Sequence, residues 1–331
     1  MKRLLLCIAL ALAVYTVQGQ GRKQIANFSQ YKHFYNPSLT GYDGSVVRTL
    51  YRNQWTGFED APKTLLATAE VDLGMLGHKS NNYRFDGRES RGAAVGTGAR
   101  HALGLILLHD QFGPAKESLV GLNYGSAIRL SESVSLRWGS ALTYRMQRFD
   151  GNSLTVDQEN DPRYTGVLGN NNRSNTLDLN LGLSLVTARY YVGYAMQDIT
   201  AGSVVSSGDD FLRDFYTRKH VAQAGYRASL GGDWGYSVNG IYQYDKLARS
   251  TVEGQVKAIY QHAFWAGAGY RNDQAYNLTA GLRLGELSVG YTYETPIQDA
   301  SAITKSTNEI ALSYTLMPSK TKAHSKLPQI W

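Results

Sequence analysis

Apolar and polar residues take turns along most of the chain beyond residue 45. Between Ser133 and Arg148, Val134, Leu136, Trp138, Leu142, Tyr144 and Met146 share one face. Ser135, Arg137, Gly139, Ala141, Thr143, Arg145 and Gln147 share the other. Leu177, Leu179, Leu181, Leu183 and Leu185 alternate with Asp178, Asn180, Gly182 and Ser184. Tyr276, Leu278, Ala280, Leu282 and Leu284 alternate in the same way with Asn277, Thr279, Gly281 and Arg283. A period of two predicts strands with unlike faces. The pattern predicts fourteen of them, at 46–54, 63–73, 101–109, 117–130, 133–148, 174–187, 189–197, 215–230, 235–244, 251–261, 263–271, 275–284, 286–294 and 306–316.

A soluble antiparallel sandwich also alternates, so the period alone does not fix the class. Three features point to a transmembrane antiparallel up-and-down β-barrel. Several strands exceed ten residues, whereas soluble strands average about five or six and membrane strands need about nine to eleven. The polar face carries Arg129, Arg137, Arg145 and Arg283 mid-strand, which a sandwich core would exclude and a wet lumen accepts. The apolar face ends in aromatics, among them Trp55, Tyr144, Tyr190, Tyr276, Tyr293 and Tyr314, as interfacial girdles require. An even strand count suits a single-chain bacterial barrel. If the first strand runs outward, the turns around Ser131-Glu132, Ala188, Gly231–Trp234, His262 and Gly285 face the periplasm. The long segments 149–173 and 198–214 then face outside. Residues 74–100 break that asymmetry as a long basic, Gly-rich connection.

The N-terminus sets the compartment. Lys2 and Arg3, the apolar run Leu4–Val14, and small residues Val17 and Gly19 lay out a secretory signal over 1–19, too short to span as a helix. Cys7 is the only cysteine and lies inside that apolar run, so the mature chain has neither disulfide nor thiolate chemistry. Losing Lys2 and Arg3 takes the formal charge from +7 to +5 (7 − 2). That balance is basic, yet no Lys/Arg cluster sits among stacking aromatics, so nucleic acid is not an expected partner. The expected division is a signal at 1–19, a polar and aromatic periplasmic or plug segment at 20–45, the barrel at 46–317 and a periplasmic tail at 318–331.

Candidate chemistry is sparse. There is no G-x-S-x-G elbow, H-E-x-x-H or phosphate loop, so no enzyme activity and no cofactor is expected. His33, His78, His101, His109, His220, His262 and His324 lack ligand spacing, so no metal is expected either. The lumen face says more. Gly121, Gly125, Gly139, Gly182, Gly193, Gly281 and Gly290 point inward by parity, together with Arg137, Arg145 and Arg283. Either glycine relieves crowding where strands bend, or the missing side chains leave room for an inserted segment, which 20–45 could supply as an N-terminal plug. Arg48 and Glu70 share the inward face of the first two strands, and a hairpin centred near Glu59 would set them opposite each other.

Three clusters near the N-terminus carry a resemblance. Tyr35-Asn36-Pro37-Ser38-Leu39-Thr40-Gly41, Tyr51-Arg52-Asn53-Gln54-Trp55 and Ala61-Pro62-Lys63-Thr64 resemble the opening of the PorP/SprF family, outer-membrane proteins of type IX secretion and gliding in Bacteroidetes. The likeness continues through Gly104-Leu105-Ile106 with Asp110 and Gly113, Ala224-Gly225-Tyr226-Arg227, Gly267–Arg271 and Asn308-Glu309-Ile310. Asn308 stands where relatives often carry histidine. The resemblance implies localisation in the outer membrane, with lipid, a secreted cargo surface protein and type IX secretion components as partners. It also implies a role in capturing or anchoring that cargo; the alternative is a plugged channel for a small solute. The residues matching the family pattern are Asn36, Pro37, Gly41, Arg52, Gln54, Trp55 and Pro62, for turn geometry, barrel closure or contacts of the plug and lumen.

Overall fold

The alternating strands close on themselves. A computed structural model describes residues 24–76, 99–151, 172–208, 216–247, 250–297 and 305–316. The expected signal at 1–19, the tail at 318–331, and most of 74–100 and 149–173 lie outside the described residues. Fifteen strands follow in order: β1 (Val46–Asn53), β2 (Lys63–Asp72), β3 (His101–Phe112), β4 (Ala115–Arg129), β5 (Ser135–Phe149), β6 (Asn172–Val186), β7 (Tyr190–Gln197), β8 (Val205–Gly208), β9 (Lys219–Gly231), β10 (Trp234–Asp245), β11 (Thr251–Tyr260), β12 (Phe264–Arg271), β13 (Ala275–Leu284), β14 (Leu287–Pro296) and β15 (Thr307–Thr315). Each pairs antiparallel with its neighbours, β1 pairs with β15, and β5–β6 completes the ring. The result is an outer-membrane-type barrel of fourteen strands. The fifteenth, β8, pairs Val205–Gly208 with Leu177–Ser174 on the edge of β6 that β7 leaves free. Nothing in the four-residue β8 alternates for long enough to predict a strand.

The ladder turns the usual core inside out. On β3, Leu103, Leu105 and Leu107 are exposed while Ala102, Ile106 and Leu108 are buried. On β6, Leu179, Leu181, Leu183 and Leu185 face outward, and Ser174, Thr176, Asp178, Asn180 and Ser184 are buried. Exposed leucines in unbroken rows are a lipid-facing surface. Connections sort by end. At the turn end, β4–β5, β6–β7, β9–β10, β11–β12 and β13–β14 join within a few residues, and only β2–β3 is long. At the loop end lie the two longest of the remaining connections, β5–β6 and β7–β9, although Gly113-Pro114 and residues 272–274 are as short as turns.

Several expectations change. Trp55 is not a girdle residue: it sits in the β1–β2 connection at φ 55°, buried, edge-on to Phe112 at 5.6 Å. Its position in a turn overrides its parity. Tyr144, Tyr190, Tyr276, Tyr293 and Tyr314 do face outward. Arg129 is not mid-strand but closes β4, exposed, donating to the carbonyls of Ser131 and Glu132 in the following turn. Arg283 is the penultimate residue of β13, and its Nε donates to Ser288 Oγ at 3.2 Å. Arg48 faces Thr68, and Glu70 faces Val46, so the hairpin is centred one residue earlier than expected. The two charges nevertheless ion-pair diagonally, within reach of long side chains on one sheet face.

Candidate functional site: a filled lumen

Residues 24–44 run inside the barrel. Ile25, Ala26, Phe28, Tyr31, Tyr35, Leu39 and Tyr42 are buried, and so are Asn27, Ser29, Lys32, His33, Asn36, Ser38 and Thr40. The segment is built from one-turn pieces, at Phe28–Gln30, Lys32–Tyr35 and Pro37–Leu39. Asn36 starts the last: its Oδ1 accepts from Ser38 N at 3.0 Å, and Pro37 supplies a preset φ at the first position. Short pieces of this kind leave backbone groups unpaired, so the wall must satisfy them.

Around residues 24–31 the wall answers with charged and amide side chains, from Glu309 toward the loop end of β15 to Lys257 toward the turn end of β11. Glu309 accepts from Ala26 N at 2.8 Å and Asn27 N at 3.3 Å. Lys257 Nζ donates to Asn27 Oδ1 and Ser29 Oγ, both at 2.7 Å, and Ser29 Oγ donates to Gln255 Oε1 at 2.7 Å. Glu309 is itself paired with Arg52, which also meets Glu294 at 2.8 Å. Arg271 extends the chain of charges to Glu294 at 3.1 Å and Glu253 at 2.9 Å. Arg52 of the family pattern therefore holds the carboxylate that caps the segment, across the β1–β15 seam where it faces Glu309.

Toward the turn end the wall answers with absent side chains. A Cβ at Gly125 would lie 2.7 Å from the Thr40 carbonyl oxygen, and one at Gly139 would lie 2.6 Å from Ser38 N. Gly182 and Gly193 give the same clearance to Asn36, whose Nδ2 donates to Ser184 Oγ at 3.2 Å. Gly41, at φ 74°, donates its N–H to Glu70 Oε2 at 2.7 Å. Arg137 is fully buried and spends its fork on the segment and its neighbour: Ser38 O at 2.9 Å, Thr40 O at 2.6 Å and Ala99 O at 2.8 Å. Of the remaining inward glycines, Gly121 meets only Ile106 and Thr143 at ordinary contact, and Gly281 and Gly290 make room for the inward Trp265. Inward glycines thus leave room for the internal segment at some positions and for a neighbouring side chain at others.

Between these ends, Asn123 and Gln197 donate to the carbonyls of His33, Phe34 and Tyr35. A charge cluster flanks them: Lys32–Asp43 at 3.3 Å, Arg48–Asp43 at 2.7 Å, Arg48–Glu70, and His33 Nδ1–Glu70 at 3.1 Å. Burial pulls the Lys32 ammonium down to about 8, with Asp43 opposing; burial likewise lowers His33, with Glu70 opposing. Lys32 also lies 5.6 Å and 5.8 Å from the ring centres of Tyr42 and Tyr191.

Two features escaped the sequence reading. The lumen is not uniformly polar: inward Leu50, Leu66, Ile106, Leu108, Leu119, Val221 and Ile241 pack with Ile25, Phe28, Tyr31 and Tyr35 as one apolar cluster. Leu105–Leu108 is apolar on both faces, and that double-sided run was its signal. The second is the connection after β7, which folds into the mouth. Asp178 accepts from Thr200 N and Gly202 N, and Asp198 meets Lys219 at 2.9 Å, Arg145 at 3.5 Å and the Tyr216 hydroxyl at 2.8 Å. Burial alone would raise Asp198; Lys219 and Arg145 outweigh it and bring the carboxyl to about 2. A cavity of about 70 Å³ remains between this cluster and the segment, with Phe34, Tyr35 and Pro37 among its lining. Gln54 and Pro62 belong to the β1–β2 connection, where the Gln54 N–H donates to the Pro62 carbonyl at 2.9 Å. Among the described residues no group of His, Cys, Asp and Glu is placed to hold a metal ion, and no helix is long and apolar enough to cross a membrane.

A family model described as type IX secretion system membrane protein PorP/SprF matches residues 17–314. Among solved structures, the Ralstonia pickettii toluene transporter TbuX is similar at 10% identity, covering 92% of this chain and 100% of its own, with TM-score 0.45. A Pseudomonas aeruginosa FadL homologue gives 10% identity, 91% and 96% coverage and TM-score 0.45. Acinetobacter baumannii Omp33 gives 7%, 82% and 96%, and 0.43. At those scores the likenesses carry no argument. Curated proteins gave no match.

Proposed function

The chain belongs to the PorP/SprF family of type IX secretion system membrane proteins, and from that premise we propose that it captures or anchors a secreted surface protein at the outer membrane, as a closed rather than a conducting barrel. The coarser statement, an outer-membrane component of type IX secretion, follows from family and fold. One observation supports the finer one: residues 24–44 lie against inward wall residues from the Glu309 carboxylate near one end to the Arg137 guanidinium near the other. In this reading the turn end faces the periplasm and the secretion machinery. The loop end, with segments 149–173 and 198–214, meets cargo. Deleting the gene and comparing surface and medium proteomes tests the role: one surface protein, or all type IX cargo, should be lost. An unchanged proteome sinks it.

The cavity beside Phe34, with Arg145, Asp198 and Lys219 around it, favours a second reading, a plugged channel for a small solute. Planar-bilayer recording separates the two. Removing residues 21–44 should raise single-channel conductance if the segment is the plug, while the intact chain should pass no solute in liposome swelling. Porin-like flux through the intact chain would move the channel reading to first place.

A further inference from the structure

The internal segment runs against strands whose directions are fixed. β1 and β10 run from the turn end to the loop end, whereas β4, β6, β11 and β15 run the other way. Ser45, the last residue before β1, lies at the turn end, where its Oγ accepts from Asp72 N at 2.9 Å. Ser38 Oγ meets Ser184 Oγ at 2.6 Å, close to the turn end of β6. Going back toward the N-terminus, the contacts climb. Asn123, which donates to the His33 carbonyl, is midway along β4, and Thr49, whose carbonyl accepts from the Tyr31 hydroxyl, is midway along β1. Asn27 and Ser29 meet Lys257, and the Ala26 carbonyl accepts from Gln255, nearer the loop end of the same strand. Ala26 N reaches Glu309, close to the loop end of β15. Gln24 Oε1 accepts from Gln243 Nε2 at 3.4 Å, close to the loop end of β10.

The depth of that last contact follows from the lipid-facing side of β10. Tyr242 and Tyr244, on either side of Gln243, are exposed, and outward tyrosines near strand ends mark the membrane interface. Gln24 therefore stands at the loop-end boundary of the membrane, across the apolar band from Ser45. Chain length then decides where the amino end lies. The residues from Gly19 to Gln24 reach at most about 18 Å even fully extended. The hydrocarbon core is about 30 Å thick. An amino end released after Gly19 cannot return from Gln24 to the turn end.

We propose that the segment threads the barrel from end to end and displays the amino terminus of the mature chain, with Arg22 and Lys23, at the cell surface. That placement rests on the orientation given above, with the loop end outside, and on signal removal after Gly19. It makes the segment a through-going strap and puts a cationic chain end in the mouth where cargo is met. It also sets an order of events. A signal still held in the inner membrane would need a connecting chain long enough to cross the outer one. Hydrolysis of the Gly19–Gln20 peptide bond, leaving a carboxylate on Gly19 and an ammonium on Gln20, therefore precedes seating of the segment. Whatever precedes Gln24 crosses the lumen as extended chain, and a folded domain there cannot follow.

Cys7 leaves with the signal, so the mature chain has no cysteine of its own and single cysteines report side. Lys23→Cys and Glu59→Cys, the latter in the exposed β1–β2 connection, should react with an impermeant maleimide on intact cells. Glu132→Cys, in the exposed β4–β5 turn, should react only once the outer membrane is permeabilised. Heat-modifiable migration on gels shows that each variant has folded. Lys23→Cys silent on intact cells while Glu59→Cys reacts overturns the proposal, whether or not permeabilisation reveals it. If Glu132→Cys reacts on intact cells and Glu59→Cys does not, the orientation has failed and the surface display with it. Threading itself is read separately. A short epitope inserted between Gly21 and Arg22 should be bound by antibody on intact cells, with residues 36–41 still protected from protease. A disulfide-closed folded domain at the same point should abolish both display and protection. If residues 36–41 stay protected with that domain in place, the amino end has not crossed the lumen, and the proposal falls.

Discussion

The two ends of the internal segment are held by opposite means. Residues 24–31 lean on β10, β11, β15 and β1 through charged and amide side chains, with Glu309 and Lys257 reaching in to meet backbone and hydroxyl groups. Residues 36–41 lean on β2–β7, where glycines let two backbones approach and one arginine collects the carbonyls. The first arrangement is adjustable, since long side chains can follow a displaced partner. The second is not, because backbone cannot retreat from backbone. Residues 36–41 should therefore fix the position of the segment, and residues 24–31 should tune it.

Arg137→Ala should break that comparison hardest. It leaves the carbonyls of Ser38, Thr40 and Ala99 without their donor in a buried site, and each such loss costs about 1–3 kcal/mol. Destabilisation of about 3 kcal/mol or more is expected in urea titrations of refolded protein, with residues 36–41 newly open to protease. A change below 1 kcal/mol would mean that water replaces the guanidinium and the anchor lies elsewhere. Gly139→Ala comes next. Its Cβ would collide with the Pro37 peptide and Ser38 N, and overpacking of this kind costs about 1–3 kcal/mol. Gly121→Ala, with only ordinary contacts at Ile106 and Thr143, is the matched control and should be close to neutral.

Glu309→Gln should have a smaller effect, about 1–2 kcal/mol, because an amide oxygen still accepts from Ala26 or Asn27 while the charge toward Arg52 is lost. Its signature should be confined to residues 24–31 in hydrogen exchange. If residues 36–41 lose protection equally, the two ends are one unit and the comparison fails.

How far the sequence disclosed this depends on what each residue does. Alternation marked all fourteen barrel strands within a few residues, because a wall between lipid and a narrow lumen forces period two on every strand. Asn36, Pro37 and Gly41 stood out because turn geometry restricts residue type. Glycine parity was legible too, but its meaning was not: Gly139 and Gly281 look alike until one is seen beside Pro37 and the other beside Trp265. Lys257 was hidden, and Glu309 was seen only as part of the family pattern, for another reason. An inward charge on a barrel strand is ordinary, and nothing local distinguishes one that caps an inserted backbone from one that faces water. The apolar lumen cluster was obscured by the expectation of a wet interior.

The smallest predicted effect concerns the middle of the segment, where the two modes meet. Burial holds the His33 imidazole below its usual 6.5, with Glu70 opposing. The folded protein then binds fewer protons than the unfolded chain as pH falls past 6.5, so His33 contributes stability above that pH and loses it as pH drops through the folded value. Lys32, held at about 8 against 10.5, adds a second window, in which stability rises with pH between those values. Asp198, at about 2 against 3.8, keeps its stabilising charge until pH falls through that lower range. Hydrogen exchange at pH 7.5 and 5.5, corrected for intrinsic rates, should therefore show residues 32–35 loosening at the lower pH while the connection around Asp198 keeps its protection. His33→Gln should flatten the response of residues 32–35. If it persists in that variant, the titrating group is another one, and the middle of the segment is held as rigidly as its glycine-lined end.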